Sequence, residues 1–151
     1  MPFATTNPFT GETLKTFPTA TDAQVVEAIG AAHQAFRSWR ETSFAERARI
    51  MTNAAAILRR DSASLAAILT LEMGKLLSEA KAEVELSAAI FDYYARHAEA
   101  LLQPERLPVA DPAEGEAMLV YEPLGGLLCV EPWNFPYYQM LVNRLAQLIT
   151  S

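Results

Sequence analysis

The feature that most limits the folds open to this chain is a change of period near Gln103. Before it, apolar residues recur at helical spacing. After it, Pro104, Pro108 and Pro112 fall in nine residues and forbid a helix, because proline has no N–H and its ring blocks the preceding turn. Strand and turn signals follow. Leu127-Leu128-Cys129-Val130 is a short apolar run between turn residues, the pattern of a strand buried on both faces in a parallel sheet. Such a strand needs hydrogen-bonding neighbours on both edges. The chain offers only one more candidate, Glu116–Glu122. The order of elements is therefore that of the start of an α/β domain whose remaining strands are missing.

The helical part begins with a capping box, Thr21-Asp22-Ala23-Gln24, followed by Val25, Ile29, Ala32, Phe36 and Trp39 on one face. A second box, Ser43-Phe44-Ala45-Glu46, opens a helix with Ile50, Ala54, Ile57 and Leu58 as its apolar face, beside Met51 and Ala55. A third helix carries Leu65, Ile68, Leu69 and Met73, and Gly74 is its stop. A fourth is expected from Ser78 to Leu102 with Val84, Ala88, Phe91, Ala95 and Ala98 inward. Its charged run, Glu79 to Glu85, reads as a solvated face. Lys75 beside Gly74 reads as a cation complementing the third helix's dipole. Asn7-Pro8-Phe9-Thr10-Gly11 is a turn, and Glu12–Phe17 is extended. A last helix is expected from Tyr138 to Ser151, with Leu141, Val142, Leu145, Leu148 and Ile149 on one face.

Composition excludes several classes of function. Hydrophobic residues make up 51% of the chain, so it is not disordered. The net charge is −6 with no basic cluster, which leaves nucleic acid without a footprint. No apolar run is long enough to span a membrane. The N-terminus lacks a charged and apolar leader pattern, so no signal peptide is expected. The lone Cys129 permits neither an intramolecular disulfide nor a multi-cysteine metal site, and a cytoplasmic protein is expected. His33 and His97 lie on separate helices without a second ligand at metal spacing, so no metal is expected.

The densest cluster is Glu131-Pro132-Trp133-Asn134-Phe135-Pro136-Tyr137-Tyr138, between the apolar run and the last helix. Ligands of open α/β sheets bind beyond the carboxyl ends of strands, so its location suits a site. A plain reading also stands: Asn134 caps the helix, Pro136 occupies its first turn, and Trp133 and Phe135 are core.

Glu-Pro-Trp-Asn-Phe-Pro after an apolar strand resembles the aldehyde dehydrogenase family. Asn7-Pro8-Phe9-Thr10-Gly11-Glu12, Leu71-Glu72-Met73-Gly74-Lys75, Glu83 through Phe91-Asp92-Tyr93-Tyr94-Ala95, and Tyr121-Glu122-Pro123-Leu124-Gly125 match in order and spacing. The wording is closest to its succinate-semialdehyde dehydrogenase branch. The resemblance implies an incomplete aldehyde dehydrogenase-like α/β fold, with 1–151 a partial NAD(P)-binding domain. Residues 1–20 are then an extended and turn segment, and 21–102 the helical portion. Residues 103–126 are a linker and an oligomerisation-type strand, and 127–151 the first strand, oxyanion loop and helix of a Rossmann-like domain. It further implies that Asn134 donates to an oxyanion, that Glu131, Pro132 and Trp133 lie along NAD or NADP, and that Phe135 and Gln139 line a tunnel for a small aldehyde. Met118–Tyr121 becomes a contact in a homo-oligomer.

The family's nucleophilic cysteine, general-base glutamate and glycine-rich cofactor turn are expected beyond Ser151. Cys129 is no substitute, because its apolar run has no basic neighbour to favour a thiolate. It is read as a core residue. The chain alone is therefore expected to be inactive. From Met140 onward it also departs from the family pattern. A truncated or frame-shifted product, a segment of a longer chain, and a non-catalytic interaction module are the alternatives.

Overall fold

The computed structural model describes residues 3–111, 113 and 115–142. An antiparallel hairpin opens the chain, β1 (Phe3–Thr6) with β2 (Thr13–Phe17), pairing Phe3 with Phe17 and Thr5 with Lys15. Its turn is built as the Asn-Pro…Gly pattern requires. The Asn7 side chain accepts from the Phe9 amide at 2.9 Å, and Gly11 donates to the Asn7 carbonyl at 2.8 Å. β1 goes unread in the sequence, since Phe-Ala-Thr-Thr is too short to show a period.

Four helices follow: α1 (Asp22–Trp39), α2 (Phe44–Arg60), α3 (Ser62–Met73) and α4 (Leu77–Leu101). The Thr21–Gln24 box closes in both directions, each residue's side chain accepting from the other's amide. At α2 only half the expected box forms. Ser43 Oγ accepts from the Glu46 amide at 3.2 Å, but the Glu46 carboxylate turns forward to Arg49 at 2.6 Å. Arg47 ties the two helices together. Its guanidinium is buried between the Trp39 and Phe44 rings and donates to the Trp39 and Arg40 carbonyls at the end of α1.

The main core lies between α2 and α4: Met51, Ala55, Ala88, Phe91 and Ala98, joined by Leu141. Small residues at the crossing let the two helices approach closely. Arg59 on α2 bridges the rim, reaching Glu85 at 3.0 Å and Asp92 at 2.7 Å on α4. A second cluster joins Ala66 and Leu69 of α3 to Ala80 of α4, with Tyr137 packed against it.

Three helical faces differ from the periodicity. Ile57 and Ile68 are exposed, and the buried α2 line is Arg47, Met51 and Ala55. On α1 no residue is buried; Val25 and Ile29 instead line a cleft of about 550 Å³, with Gly126, Leu127 and Leu128 also on its wall. Periodicity identifies which side of a helix is apolar, but only a partner at the right place removes that side from water. The charged run on α4 is not wholly solvated either, because Glu83 is buried.

Beyond α4 the chain forms a second hairpin. β3 (Glu105–Leu107) pairs antiparallel with β4 (Ala117–Leu119), Arg106 lying opposite Met118. The three residues of β3 sit between two prolines and read as linker in the sequence. The expected strand at Glu116–Glu122 thus shortens to β4 and takes a local partner.

Leu127–Val130 carries no strand ladder among the described residues. Leu128 is 93% exposed, Val130 87%, and Cys129 is exposed rather than core. A strand of a parallel sheet pairs with neighbouring strands, and the two sheets among the described residues, β1–β2 and β3–β4, do not include this run. The last helix, α5, is described over 136–142; Leu145, Leu148, Ile149 and Ser151 of its expected course lie outside the described residues.

Candidate functional site

The segment 131–139 passes from the exposed run into α5. Residues 133–135 form the turn, and Pro136 stands at the first helical position, where its missing N–H costs no hydrogen bond. Gln139 donates to the Phe135 carbonyl at 3.0 Å, closing the first turn of α5. Phe135 is thus the residue before the helix, and Asn134 lies one position earlier.

The next amides of a helix need an acceptor from outside it. Here a distant carboxylate provides it. Glu83 Oε1 accepts from the Tyr137 amide at 3.0 Å and from the Tyr138 amide at 3.3 Å. The expected alternative in which Asn134 caps this helix is therefore replaced, and the Asn134 side chain, on an exposed residue, forms no hydrogen bond among the described residues.

The other Glu83 oxygen, Oε2, pairs with the Lys75 ammonium. Both side chains are withdrawn from water, Lys75 to 7% exposure and Glu83 to 1%. A single buried charge costs several kcal/mol, so each needs the other. Their remaining capacity is also used. Lys75 Nζ donates to the Asn134 carbonyl at 3.1 Å and stands 3.6 Å from the centre of the Phe135 ring. The Tyr137 hydroxyl donates to the Leu65 carbonyl at 3.2 Å, tying α5 to α3. Burial, then the negative Glu83 and Glu72, push its phenol above the ordinary value of 10.0.

The residues singled out in the sequence lie together on this segment but in different surroundings. Trp133 is 74% exposed, beside a cleft of about 320 Å³ shared with Thr5, Leu69 and Met73, so it is not core. Phe135 is exposed under Lys75, and Pro132 is exposed. Glu131 and Gln139 are half-buried. Lys75 and Glu83 were not legible as parts of this site. The available signal was Glu83's place on the helical line of Ala80, Val84, Ser87 and Phe91, where a charge among small and apolar residues implies a buried partner. Among the described residues no group of three or more His, Cys, Asp or Glu is close enough to hold a metal ion, and no helix is long and apolar enough to cross a membrane.

The sequence model of the aldehyde dehydrogenase family matches residues 1–151. The chain belongs to this family. A succinate-semialdehyde dehydrogenase [NADP(+)] of Deinococcus radiodurans is 48% identical over 150 residues, which are 99% of this chain and 31% of that protein. Succinate-semialdehyde dehydrogenase [NADP(+)] 1 of Mycobacterium bovis is 50% identical over 139 residues, 92% of this chain and 30% of that one. The succinic semialdehyde dehydrogenase of Streptococcus pyogenes, solved with NADP+, superposes with a TM-score of 0.87 at 36% identity, over 98% of this chain and 35% of its own. This member of the aldehyde dehydrogenase family thus spans about a third of the length of the relatives it matches.

Proposed function

We propose that this chain supplies the oxyanion-binding asparagine and one wall of the nicotinamide pocket of an NADP-dependent succinate-semialdehyde dehydrogenase. The observation that carries the reading is the unused side-chain amide of Asn134 on a loop whose helix is capped by Glu83 instead. A neutral N–H₂ donor held ready is what the addition of a thiolate to an aldehyde requires, because negative charge on the carbonyl oxygen develops only in the transition state.

The segment leading to Asn134 is read as one side of a dinucleotide site. Trp133, next to Asn134, presents exposed apolar area against which a flat ring can lie, whereas Gly125-Gly126 precedes the apolar run and forms no phosphate-cradling turn after it. When bound, NADP+ would accept the hydride from the aldehyde carbon once the thiolate has added to it. Glu131, Pro132 and Trp133 would lie along it, and Phe135 and Gln139 would wall the aldehyde tunnel. Met118, Leu119, Val120 and Tyr121 are all exposed, which supports their use as a contact between copies of the chain. With one cysteine and hence no disulfide framework, a cytoplasmic location goes with this reading.

On this reading residues 1–151 alone do not turn over, because the attacking thiolate and the general base come from sequence that follows in the family. The chain by itself, given succinic semialdehyde and NADP+, is expected to yield no NADPH absorbance at 340 nm. Joined to the remaining part of the Deinococcus relative, it is expected to yield turnover. Turnover by the isolated chain, or none by a folded joined protein, refutes the reading.

A further inference from the structure

We propose that Lys75 and Glu83 are positioning residues for Asn134, setting its loop in place before substrate arrives; the catalytic part of this rests on the reading of Asn134 given above. The pair, contributed by the α3–α4 turn and the second turn of α4, attaches to the loop at Asn134 and again beyond it. Before the helix, Lys75 holds the Asn134 carbonyl and covers the Phe135 ring. Inside the helix, Glu83 holds the Tyr137 and Tyr138 amides. The carboxylate divides the work, Oε2 taking the ammonium and Oε1 the two amides. The peptide that carries Asn134 is thereby fixed at its own carbonyl and again three residues on.

Stability alone is a poor account of this arrangement. The desolvation cost of two buried charges roughly cancels their attraction, and well-packed apolar side chains of similar volume often do as well. An apolar pair, however, leaves the Asn134 carbonyl free to turn and the α5 amides without an acceptor. A donor for a developing oxyanion must hold its place within about half an ångström, and a misplacement of about 1 Å can cost on the order of a hundredfold in rate. The four contacts fix the backbone from which the Asn134 side chain projects.

Amide hydrogen exchange in the 151-residue chain gives the first test. In Glu83→Ala, exchange at Tyr137 and Tyr138 is expected to quicken at least about tenfold, the protection of α2 and of the rest of α4 being kept. Unchanged exchange at both amides overturns the proposal, and so does equal loss throughout α2 and α4, which marks a merely structural role. The second test uses the joined enzyme with succinic semialdehyde and NADP+. Glu83→Gln keeps an acceptor for the amides but not the charge that holds Lys75; Lys75→Met removes the other half. Each is expected to lower kcat by about 10- to 100-fold with KM within about threefold, and to add nothing further in an Asn134→Ala background. Additive losses in that background, or an unchanged kcat, overturn the proposal. If Asn134→Ala is itself without effect, the oxyanion reading fails, and the exchange measurement still decides whether the pair holds the loop.

Discussion

The Lys75 ammonium donates to the backbone carbonyl of Asn134 at 3.1 Å, although 59 positions separate the two residues. This one bond joins the turn after α3 to the loop that precedes α5. It explains why a lysine just past a helix end, well placed to serve only the helix dipole, is instead drawn out of water.

The side-chain amide of Asn134 is expected to act on kcat rather than on binding. In the joined enzyme Asn134→Ala should lower kcat by about 10²–10³-fold, the usual cost of one lost oxyanion donor. Steady-state kinetics with succinic semialdehyde checks this. A loss confined to KM would place Asn134 in ground-state binding.

Tyr137 makes the fold sensitive to alkali. Its phenol titrates above the ordinary 10.0 because burial and the nearby Glu83 and Glu72 disfavour the phenolate. The folded chain therefore binds this proton more tightly than the unfolded chain. The resulting stability is present below pH 10 and is lost as pH rises through the folded value. Tyr137→Phe should flatten that alkaline fall. At neutral pH it should cost about 0.5–1.5 kcal/mol for the bond to the Leu65 carbonyl. Urea midpoints measured between pH 7 and 11 check both effects.

Core position, not hydrophobicity, should decide the cost of truncation. Phe91 is buried between α2 and α4, so Phe91→Ala is expected to destabilise by about 3–5 kcal/mol. Ile29 on α1 is exposed, so Ile29→Ala should stay within about 0.5 kcal/mol. Equal shifts of the urea midpoint would mean that α1 is covered in solution.

Gly74 combines two constraints. It ends α3 at φ +74°, and an added Cβ would lie 3.2 Å from Pro8 Cγ in the first turn. Gly74→Ala should cost at least about 1–2 kcal/mol, the left-handed penalty for an L-residue. Gly11 has the same φ but open space around it, so Gly11→Ala should cost less. Thermal midpoints of the two variants, measured side by side, test the contact with Pro8.

Much of the fold was legible because its causes are local. The Thr21–Gln24 box, the Ser43 cap, the left-handed Gly74 and the Asn7 turn all rest on groups within four residues of one another. The family, too, could be read from short ordered motifs. The site was legible in its loop and not in its supports: Asn134 stood out beside Trp133 and two prolines, but Glu83 looked like one charge among several on a solvated face.

By itself, the sequence determined where helices start and stop, where prolines forbid them, and which residue types lie around Asn134. Hydrogen bonds between near neighbours and the fixed φ of proline decide those matters whatever the rest of the chain does. Only the tertiary structure decided that Glu105–Leu107 pairs with Ala117–Leu119, that the apolar face of α1 stays exposed, and that Glu83 is buried against residues 134–138. Burial and long-range pairing depend on what arrives from elsewhere in the chain. A carboxylate more than fifty residues from the amides it caps carries no local mark of them.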